Sequence, residues 1–180
     1  MAFDVLEGEL ATYVRVAEGA EFDALYALLA DKKWLATFDL AAVPDKAALA
    51  EDFEEESWAV WKIVGEDSKD VIGYVGFVLN SGMQKVVLGF FGQPDISIAR
   101  DCIPLVGRWY FDKPKRKFVC CFLAAPVPDD IHEALLDAGF EVLEDLQFVD
   151  YSKQTPYYIA RETFEAYYLD KDDEVEELDF

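Results

Sequence analysis

The stretch from Lys85 to Phe140 constrains the fold more than any other part of this sequence. Two apolar runs, residues 86–91 and 118–123, have the length and composition of strands that are covered on both faces. Residues 97–112 lie between them and have helical length. A strand–helix–strand unit of this size predicts parallel pairing with a crossover, and hence an α/β protein.

Other segments predict further strands and helices on both sides of this unit. A proline and two acids at 128–130 favour the start of a helix that stops at Gly139. Residues 1–9 suggest a short helix or an arm. Periodicity and turn residues predict a strand at 10–16, a helix at 21–35, a helix from 46 to 56, and a hairpin of strands 57–64 and 71–79.

The helix that ends at Gly139 carries a resemblance to a known family. Residues 133–142, Glu-Ala-Leu-Leu-Asp-Ala-Gly-Phe-Glu-Val, resemble the A-x-x-L-Y-E-K-L-G-F-E segment of the GNAT acetyltransferase superfamily. Residues 13–29 are similar to the first strand and helix of that family, and residues 157–165 are similar to its closing strand. The resemblance implies an α/β (α+β) fold, a GNAT-like single domain with a central mixed, mostly antiparallel sheet flanked by helices. This domain would span residues 1–169, followed by an acidic C-terminal tail at 170–180.

The resemblance also implies a cofactor loop between the fourth strand and the third helix. In the family, this loop reads Arg/Gln-x-x-Gly-x-Gly/Ala, and its backbone N–H groups bind the pyrophosphate of coenzyme A. Here Gln93 is in register, but Ile96 and Ile98 occupy both glycine positions. A β-branched residue restricts the backbone and hinders the approach of a phosphate, and Asp95 adds a negative charge. The loop is therefore interpreted as degenerate, with Asp95 or Ser97 capping the helix.

A shifted loop that uses Gly89 or Gly92 remains an alternative. If acetyl-CoA binds, the resemblance implies contacts from six residues: Gly89, Phe90, Phe91, Gln93, Ile96 and Ile98. Amides near Gly89 would hold the acetyl group and those at 96–99 the phosphate. Gly89 lies where the family has a strand bulge, although glycine fits close packing equally well.

The tyrosine that often serves as the general acid of the family falls at Leu135 in this chain. Leucine cannot carry a proton, so the catalytic residues are unknown, with Tyr110 and Tyr151 as distant candidates. His132 is the sole histidine, and it is expected to have a surface or capping role. Three cysteines without a C-x-x-C pair predict neither a disulfide framework nor a metal site.

The net charge of −21, from 37 acidic and 16 basic residues, disfavours binding to nucleic acid or to a membrane surface and favours basic partners. Apolar runs no longer than a strand predict no transmembrane span, and the first residues do not resemble a leader sequence. The one basic cluster is Lys113–Lys117. It could grip a phosphate or an acidic partner, such as the tail of a neighbouring copy, or it could be a solvated turn.

Two functions remain open from the sequence. The first is a non-catalytic structural or protein-interaction component, as a homo-oligomer or with a protein partner, in the cytoplasm or in a phage virion or its assembly. The second is an active acetyl-CoA-dependent N-acetyltransferase with an atypical cofactor loop. Mimicry of DNA by an acidic surface is a weaker third hypothesis, because the aromatic content of 15% indicates an ordinary packed core.

Overall fold

The computed structural model of this protein describes six ranges of the chain: residues 4–17, 19–31, 42–79, 84–90, 96–145 and 149–169. The chain divides into two compact units, residues 1–102 and residues 103–180. Together they form a mixed α+β fold with antiparallel sheets, and five helices lie in the described part. The fold class predicted from the sequence is confirmed.

The first unit is built on five strands, each paired antiparallel with the next along the chain. These strands are β1 (Val5–Glu7), β2 (Ala11–Arg15), β3 (Trp58–Gly65), β4 (Val71–Leu79) and β5 (Gln84–Phe90). The predicted hairpin is confirmed as β3 and β4. β1 is a strand where the sequence suggested a short helix or an arm. Its residues alternate in burial, with Leu6 facing inward, as expected of a strand with one covered face.

Two helices, α1 (Ala20–Leu28) and α2 (Lys46–Glu54), belong to the first unit. The carboxylate of Asp45 caps α2 by accepting hydrogen bonds from the backbone N–H groups of Ala47 and Ala48, at 3.0 and 3.1 Å. α1 ends earlier than predicted, because the N–H groups of Ala30 and Asp31 bond three residues back and tighten the chain into a turn. The rest of the predicted helix, residues 32–35, lies outside the described residues.

An apolar cluster joins these helices to the sheet. Its buried members come from α1, α2, β3, β4 and the adjoining turns: Val16, Phe22, Leu25, Leu29, Leu49, Trp58, Val60, Tyr74 and Val78. At the rim of the cluster, Lys62 of β3 forms an ion pair with Glu21 in the first turn of α1. An acid at a helix N-terminus also complements the helix dipole, so this pair fixes α1 on the sheet.

The second unit contains β6 (Phe118–Ala124), α4 (Asp129–Asp137), β7 (Glu141–Val142), β8 (Gln154–Ala160) and α5 (Arg161–Tyr168). β8 pairs antiparallel with both β6 and β7. The helix α3 (Ile96–Phe111) spans the boundary of the units and runs through Pro104 without a break. The predicted order of strand, helix and strand is confirmed in β5, α3 and β6.

The helix α4 stops where the sequence predicted it to stop. Gly139 has a positive φ of 84°, a conformation that glycine adopts without strain. Its N–H bonds to the carbonyl of Leu136 at 3.0 Å, and the N–H of Phe140 bonds to the carbonyl of Leu135 at 2.9 Å. These two bonds form a Schellman motif that satisfies the last carbonyls of the helix.

The predicted closing strand at 157–165 is wrong in its second half. β8 ends at Ala160, and the next residues form α5. Helical spacing explains the change, because Arg161 and Glu165 are four residues apart and form an ion pair of 2.9 Å. The helix also turns Phe164 inward, where it is 1% exposed.

We predict that replacing Gly76 of β4 by alanine lowers the free energy of unfolding by about 1–3 kcal/mol, because the interior has no room for the methyl group. A Cβ atom at this position would overlap the carbonyl oxygen of Ala59 and lie 2.9 Å from the Cα atom of Val60. Urea unfolding of the variant measures the change. Gly65→Ala is the matched control, since the nearest atom to its Cβ would be the hydroxyl oxygen of Ser68 at 3.1 Å, and no backbone atom would lie closer than 4.0 Å. Equal stability of the two variants would contradict the close approach of β3 and β4.

Candidate functional site

The candidate cofactor residues fall at the end of β5 and at the start of α3. Gly89 and Phe90 close the strand, and Ile96 and Ile98 lie in the first turn of the helix. These four residues belong to the first unit. Phe91 and Gln93 lie outside the described residues. Binding of a cofactor by this set stays a prediction.

The strand pairing at Gly89 is regular. Gly73 lies opposite Phe90, Tyr74 opposite Gly89, and this one-to-one register continues to the pair of Leu79 and Gln84. A bulge would place two residues of one strand opposite a single residue of the other. β5 therefore has no bulge against β4 at Gly89. A register irregularity does occur in this sheet, but it lies between β3 and β4 at Ile63 and Val64.

The first turn of α3 faces the protein interior on one side. Ile98 and Ala99 are each 6% exposed, whereas Ile96 is half-buried. The N–H groups of a helical first turn and the helix dipole suit an anion. The Ile98 side chain is packed into the unit, so of the two isoleucines only Ile96 is partly open to a ligand.

A carboxylate anchors this helix to the turn between β1 and β2. Asp101 Oδ1 accepts a hydrogen bond of 2.7 Å from the backbone N–H of Glu9, and Oδ2 accepts one of 3.4 Å from that of Leu10. The hydroxyl of Tyr13 donates to Asp101 Oδ2 at 2.6 Å and lies 3.4 Å from the carbonyl oxygen of Ile98. A charged acceptor with three donors makes strong hydrogen bonds, so this cluster fixes the position of the helix start.

The surroundings of the Tyr13 hydroxyl keep it protonated, so that it can donate its hydrogen bond. Burial, and then the neighbouring Cys102 and Asp101, raise the pKa of the Tyr13 hydroxyl above its usual value, so Tyr13 remains a donor at neutral pH. Gly8 is required beside it, because a Cβ atom there would overlap the Asp101 carboxylate. The sequence reasoning missed this cluster. Its one signal is an acid between the apolar residues Ile98 and Cys102 of a helix.

The second unit holds a histidine–tyrosine pair that the sequence reasoning also missed. His132 of α4 is half-buried, and its Nδ1 lies 2.8 Å from the hydroxyl oxygen of the buried Tyr157 on β8. Burial, and then Cys121, raise the pKa of Tyr157. The ring of His132 is thus half-buried and bonded to a buried tyrosine, a contact that the expected surface or capping role did not include. Such a pair can exchange roles as donor and acceptor with the tautomer of the ring.

None of the proposed acids has the environment of an accessible proton donor. Leu135, at the position of the family's tyrosine, is 2% exposed. Tyr110 is fully buried, its hydroxyl donates to the carbonyl of Phe118 at 3.0 Å, and burial raises its pKa. The hydroxyl of Tyr151 is exposed but donates to the carbonyl of Leu143 at 3.0 Å.

The cysteines are buried and form no disulfide. Burial raises the pKa of the Cys121 thiol to about 12, so this thiol is protonated and unreactive at neutral pH. Within the described ranges, no three histidine, cysteine or acidic side chains are grouped so that they could hold a metal ion. In the same ranges no helix combines the length and the apolar character needed to span a membrane.

Comparison with solved structures identifies the fold. No family model and no curated protein matches the chain. The structure is similar to the acetyltransferase from Agrobacterium tumefaciens str. C58, with a TM-score of 0.61 and 14% identity over 86% of this chain and 92% of that one. It is also similar to a GCN5-related N-acetyltransferase from Brucella melitensis, with a TM-score of 0.55 and 12% identity over 95% of this chain and 85% of that one.

A third similar structure is the spermidine N-acetyltransferase from Vibrio cholerae in complex with CoA and spermine. The TM-score is 0.62, and the identity is 14% over 84% of this chain and 97% of that one. Acetyltransferases of the GNAT family thus share the architecture of this protein. The structure has the GNAT fold, and identities this low establish the fold alone.

We predict that Asp101→Ala lowers the free energy of unfolding by about 3 kcal/mol, because it leaves Tyr13 and two backbone donors without their charged acceptor. Tyr13→Phe should cost less, about 1 kcal/mol, since the carboxylate keeps both backbone donors. Chemical denaturation measures both values. Asp112→Ala, at an exposed acid just beyond the same helix, is the control and should change stability by less than about 0.5 kcal/mol. A loss at Asp101 as small as that at Asp112 would refute the anchoring role.

Proposed function

We propose that this chain is a GNAT-fold protein that does not transfer acetyl groups and acts as a structural or protein-interaction component. The observation that carries this proposal is the regular pairing of β5 through Gly89. The family resemblance implies that amides exposed by a bulge in this strand hold the acetyl carbonyl. A one-to-one ladder provides no extra residue at this point whose amide is turned out of the pairing.

The position of the family's general acid supports the same proposal. Leu135 is buried and carries no proton. His132 lies one helical turn earlier, but its Nδ1 is bonded to the Tyr157 hydroxyl within the second unit. Proton transfer needs a group within hydrogen-bond reach of the reacting atom. Among the residues that the structure describes, neither Leu135 nor His132 therefore replaces the missing tyrosine.

The start of α3 is also less open to a phosphate than a glycine loop would be. Ile96 stands at the first glycine position of the family loop and is partly exposed. Its side chain would crowd a pyrophosphate that approaches the first-turn amides, where glycine would leave them open. Pro94 and Asp95 precede it in the sequence, and their placement lies outside the described residues.

Charge indicates the kind of partner that this proposal requires. A net charge of −21 attracts basic protein surfaces and repels nucleic acid and anionic lipid. The proposed partner is a second copy of this chain or another protein. The proposed location is the cytoplasm, or a phage virion or its assembly.

The alternative function is an active N-acetyltransferase with acetyl-CoA as its cofactor. Two observations favour it: the GNAT fold itself, and an acidic surface that would draw in cationic amines. Loop geometries other than the family's can bind phosphate when several amides converge. The two functions differ in one measurable property, the binding of coenzyme A.

We predict that calorimetric titration of the full chain with acetyl-CoA gives no saturable heat up to about 1 mM, the upper end of ordinary KM values. Thermal melting with the same ligand should give no shift, because a ligand that does not bind the native state cannot stabilise it. The spermidine N-acetyltransferase from Vibrio cholerae, which binds CoA, serves as the positive control in the same buffer.

Saturable heat together with a raised melting temperature would overturn the non-catalytic proposal. Release of thiol from acetyl-CoA in the presence of spermidine, above the rate in buffer, would then establish the alternative. A cooperative melting transition in the titrated sample ensures that a missing signal is not caused by unfolded protein.

A further inference from the structure

A buried arginine lies in the loop between α3 and β6. Residues 113–117, which we call the basic loop, hold four of the 16 basic residues of this acidic chain. Three of the four are exposed lysines, whereas Arg116 is 7% exposed and is the sole charged residue buried among those that the structure describes. Burying a charge costs free energy unless an opposite charge or hydrogen bonds compensate for it. The groups around this guanidinium therefore indicate what it can bind.

Two aromatic rings and one carbonyl group hold the Arg116 guanidinium. Its Cζ atom lies 4.8 Å from the centroid of the Trp109 ring and 4.7 Å from that of the Tyr110 ring. Its Nη1 atom donates a hydrogen bond of 3.2 Å to the carbonyl oxygen of Tyr110, in the last turn of α3. Cation–π contacts and a bond to a helix-terminal carbonyl fix the position of a cation. Neither contact supplies a full negative charge.

No carboxylate compensates for the charge of Arg116 within the described ranges. Burial lowers the pKa of the guanidinium, and the Tyr110 hydroxyl is the one group whose charge acts in the opposite direction. Glu165 is already paired with Arg161 at 2.9 Å. Asp112, next to the basic loop in sequence, is exposed and forms no ion pair with a described residue. The described part of the chain thus provides this buried cation with no counter-ion.

The guanidinium also has donors left for a ligand. An arginine carries five N–H groups, and Tyr110 accepts a bond from one nitrogen only. Every fully buried polar side-chain atom of the described residues has a hydrogen-bond partner, so the Nε and Nη2 atoms of Arg116, which bond to none of those residues, reach the molecular surface. These two nitrogens form one side of the planar fork that binds two oxygens of an anion at once.

Lysines on both sides of Arg116 add positive charge to the basic loop. Lys115 and Lys117 are exposed, and neither forms an ion pair with another of the described residues. The Nζ atom of Lys113 lies 6.0 Å from the centroid of the Trp109 ring, the ring that Arg116 also contacts. An anion at Arg116 would therefore be surrounded by further cations.

The backbone of the basic loop is held in one conformation. The side chain of Arg161 donates to the carbonyl oxygens of Lys113 and Arg116 at 2.7 and 2.9 Å. The backbone N–H of Arg161 donates to the carbonyl oxygen of Lys117 at 2.8 Å. A loop fixed in this way loses little conformational freedom when a ligand binds, which favours binding.

We propose that the basic loop binds a phosphate monoester group, with the Nε and Nη2 atoms of Arg116 as its anchor and with Lys115 and Lys117 as flanking cations. Such a group carries about two negative charges at neutral pH and has oxygens that match the arginine fork. The sequence left a phosphate, an acidic partner and a solvated turn open for this cluster. A solvated turn does not require a buried arginine without an acid, and a carboxylate brings a single charge to several cations.

Inorganic phosphate and a phosphorylated side chain of a partner protein present the same chemical group. The proposal does not depend on whether the chain transfers acetyl groups, because it concerns residues 109–117 and not the start of α3. The net charge of −21 repels every anion at long range, so the binding is expected to be weak and to fall with ionic strength.

Nuclear magnetic resonance of the ¹⁵N-labelled full chain, titrated with inorganic phosphate, tests the proposal. The side-chain Nε–H signal of Arg116 should shift saturably, with half-saturation at about 10 mM, because one small anion makes few bonds. This concentration lies above the range of the acetyl-CoA titration. The indole N–H signal of Trp109 should shift with the same midpoint, since its ring lies over the guanidinium.

Arg15, whose guanidinium lies 4.8 Å from the Trp61 ring centroid in the first unit, is the internal control, and its Nε–H signal should not move. Sodium chloride at the same ionic strength should leave the Arg116 signal in place. An Arg116 signal that does not respond to phosphate, or that responds equally to chloride, would overturn the proposal.

Two double variants separate the basic loop from the overall charge. Lys115→Gln combined with Lys117→Gln retains the buried arginine and should weaken phosphate binding about fivefold. Lys69→Gln combined with Lys153→Gln removes the same charge at exposed lysines outside the loop and should leave the affinity unchanged. Thermal melting checks that both variants fold. Equal affinities in the two folded variants would contradict a site at the basic loop.

A short uncharged peptide with one phosphoserine distinguishes the two sources of the phosphate group. Binding about tenfold tighter than that of inorganic phosphate would assign the site to a phosphorylated partner protein, and equal affinity would assign it to the phosphate group alone. The same peptide with an unmodified serine is the control. A shift of the Arg116 signal as large with the unmodified peptide would overturn the proposal.

Discussion

The unbroken pairing of β4 with β5 is the constraint on which the candidate site depends. Each residue of β5 from Gln84 to Phe90 has one partner on β4, so the pairing is regular over the whole of the described strand. Regular pairing uses the backbone groups of a strand in sheet hydrogen bonds and leaves no unpaired extra residue. Between Gln84 and Phe90 the strand therefore lacks the bulge that the family resemblance implies at Gly89.

The Asp101 cluster fixes the position of the start of α3, the helix that follows β5 in the sequence. A carboxylate within a helix would ordinarily be solvated, but here it accepts hydrogen bonds from the β1–β2 turn and from a buried tyrosine. The contact joins residues about 90 positions apart in the chain, so it closes the first unit across its whole sequence. The helix start is thus held rigidly by interactions that serve stability. A helix start with an isoleucine at its first position leaves less room for a phosphate than one with a glycine there.

The sequence predicted the elements with strong local signals. Proline and two acids before an apolar pattern, and Gly139 after it, set both ends of α4 correctly, and turn residues located the hairpin of β3 and β4. The predictions from the sequence were wrong or incomplete where contacts between distant residues determine the structure. The resemblance to the family's closing strand placed residues 161–165 in that strand, yet an i,i+4 ion pair between Arg161 and Glu165 and the burial of Phe164 favour a helix. Two side-chain pairs were missed, Asp101 with Tyr13 and His132 with Tyr157. The members of each pair are distant in sequence, and no local sequence pattern indicates that they meet.

Nuclear Overhauser contacts across the sheet test most directly whether β5 passes Gly89 without a bulge. Directly opposed residues of antiparallel strands have Cα atoms about 4.5–5.5 Å apart, close enough for their backbone protons to give strong signals. The structure predicts contacts from Tyr74 to Gly89 and from Gly73 to Phe90 in a single register. A register that shifts by one residue past Tyr74, so that Gly73 contacts Phe91 instead of Phe90, would reveal two residues opposite one, and a bulge there would contradict the non-catalytic account.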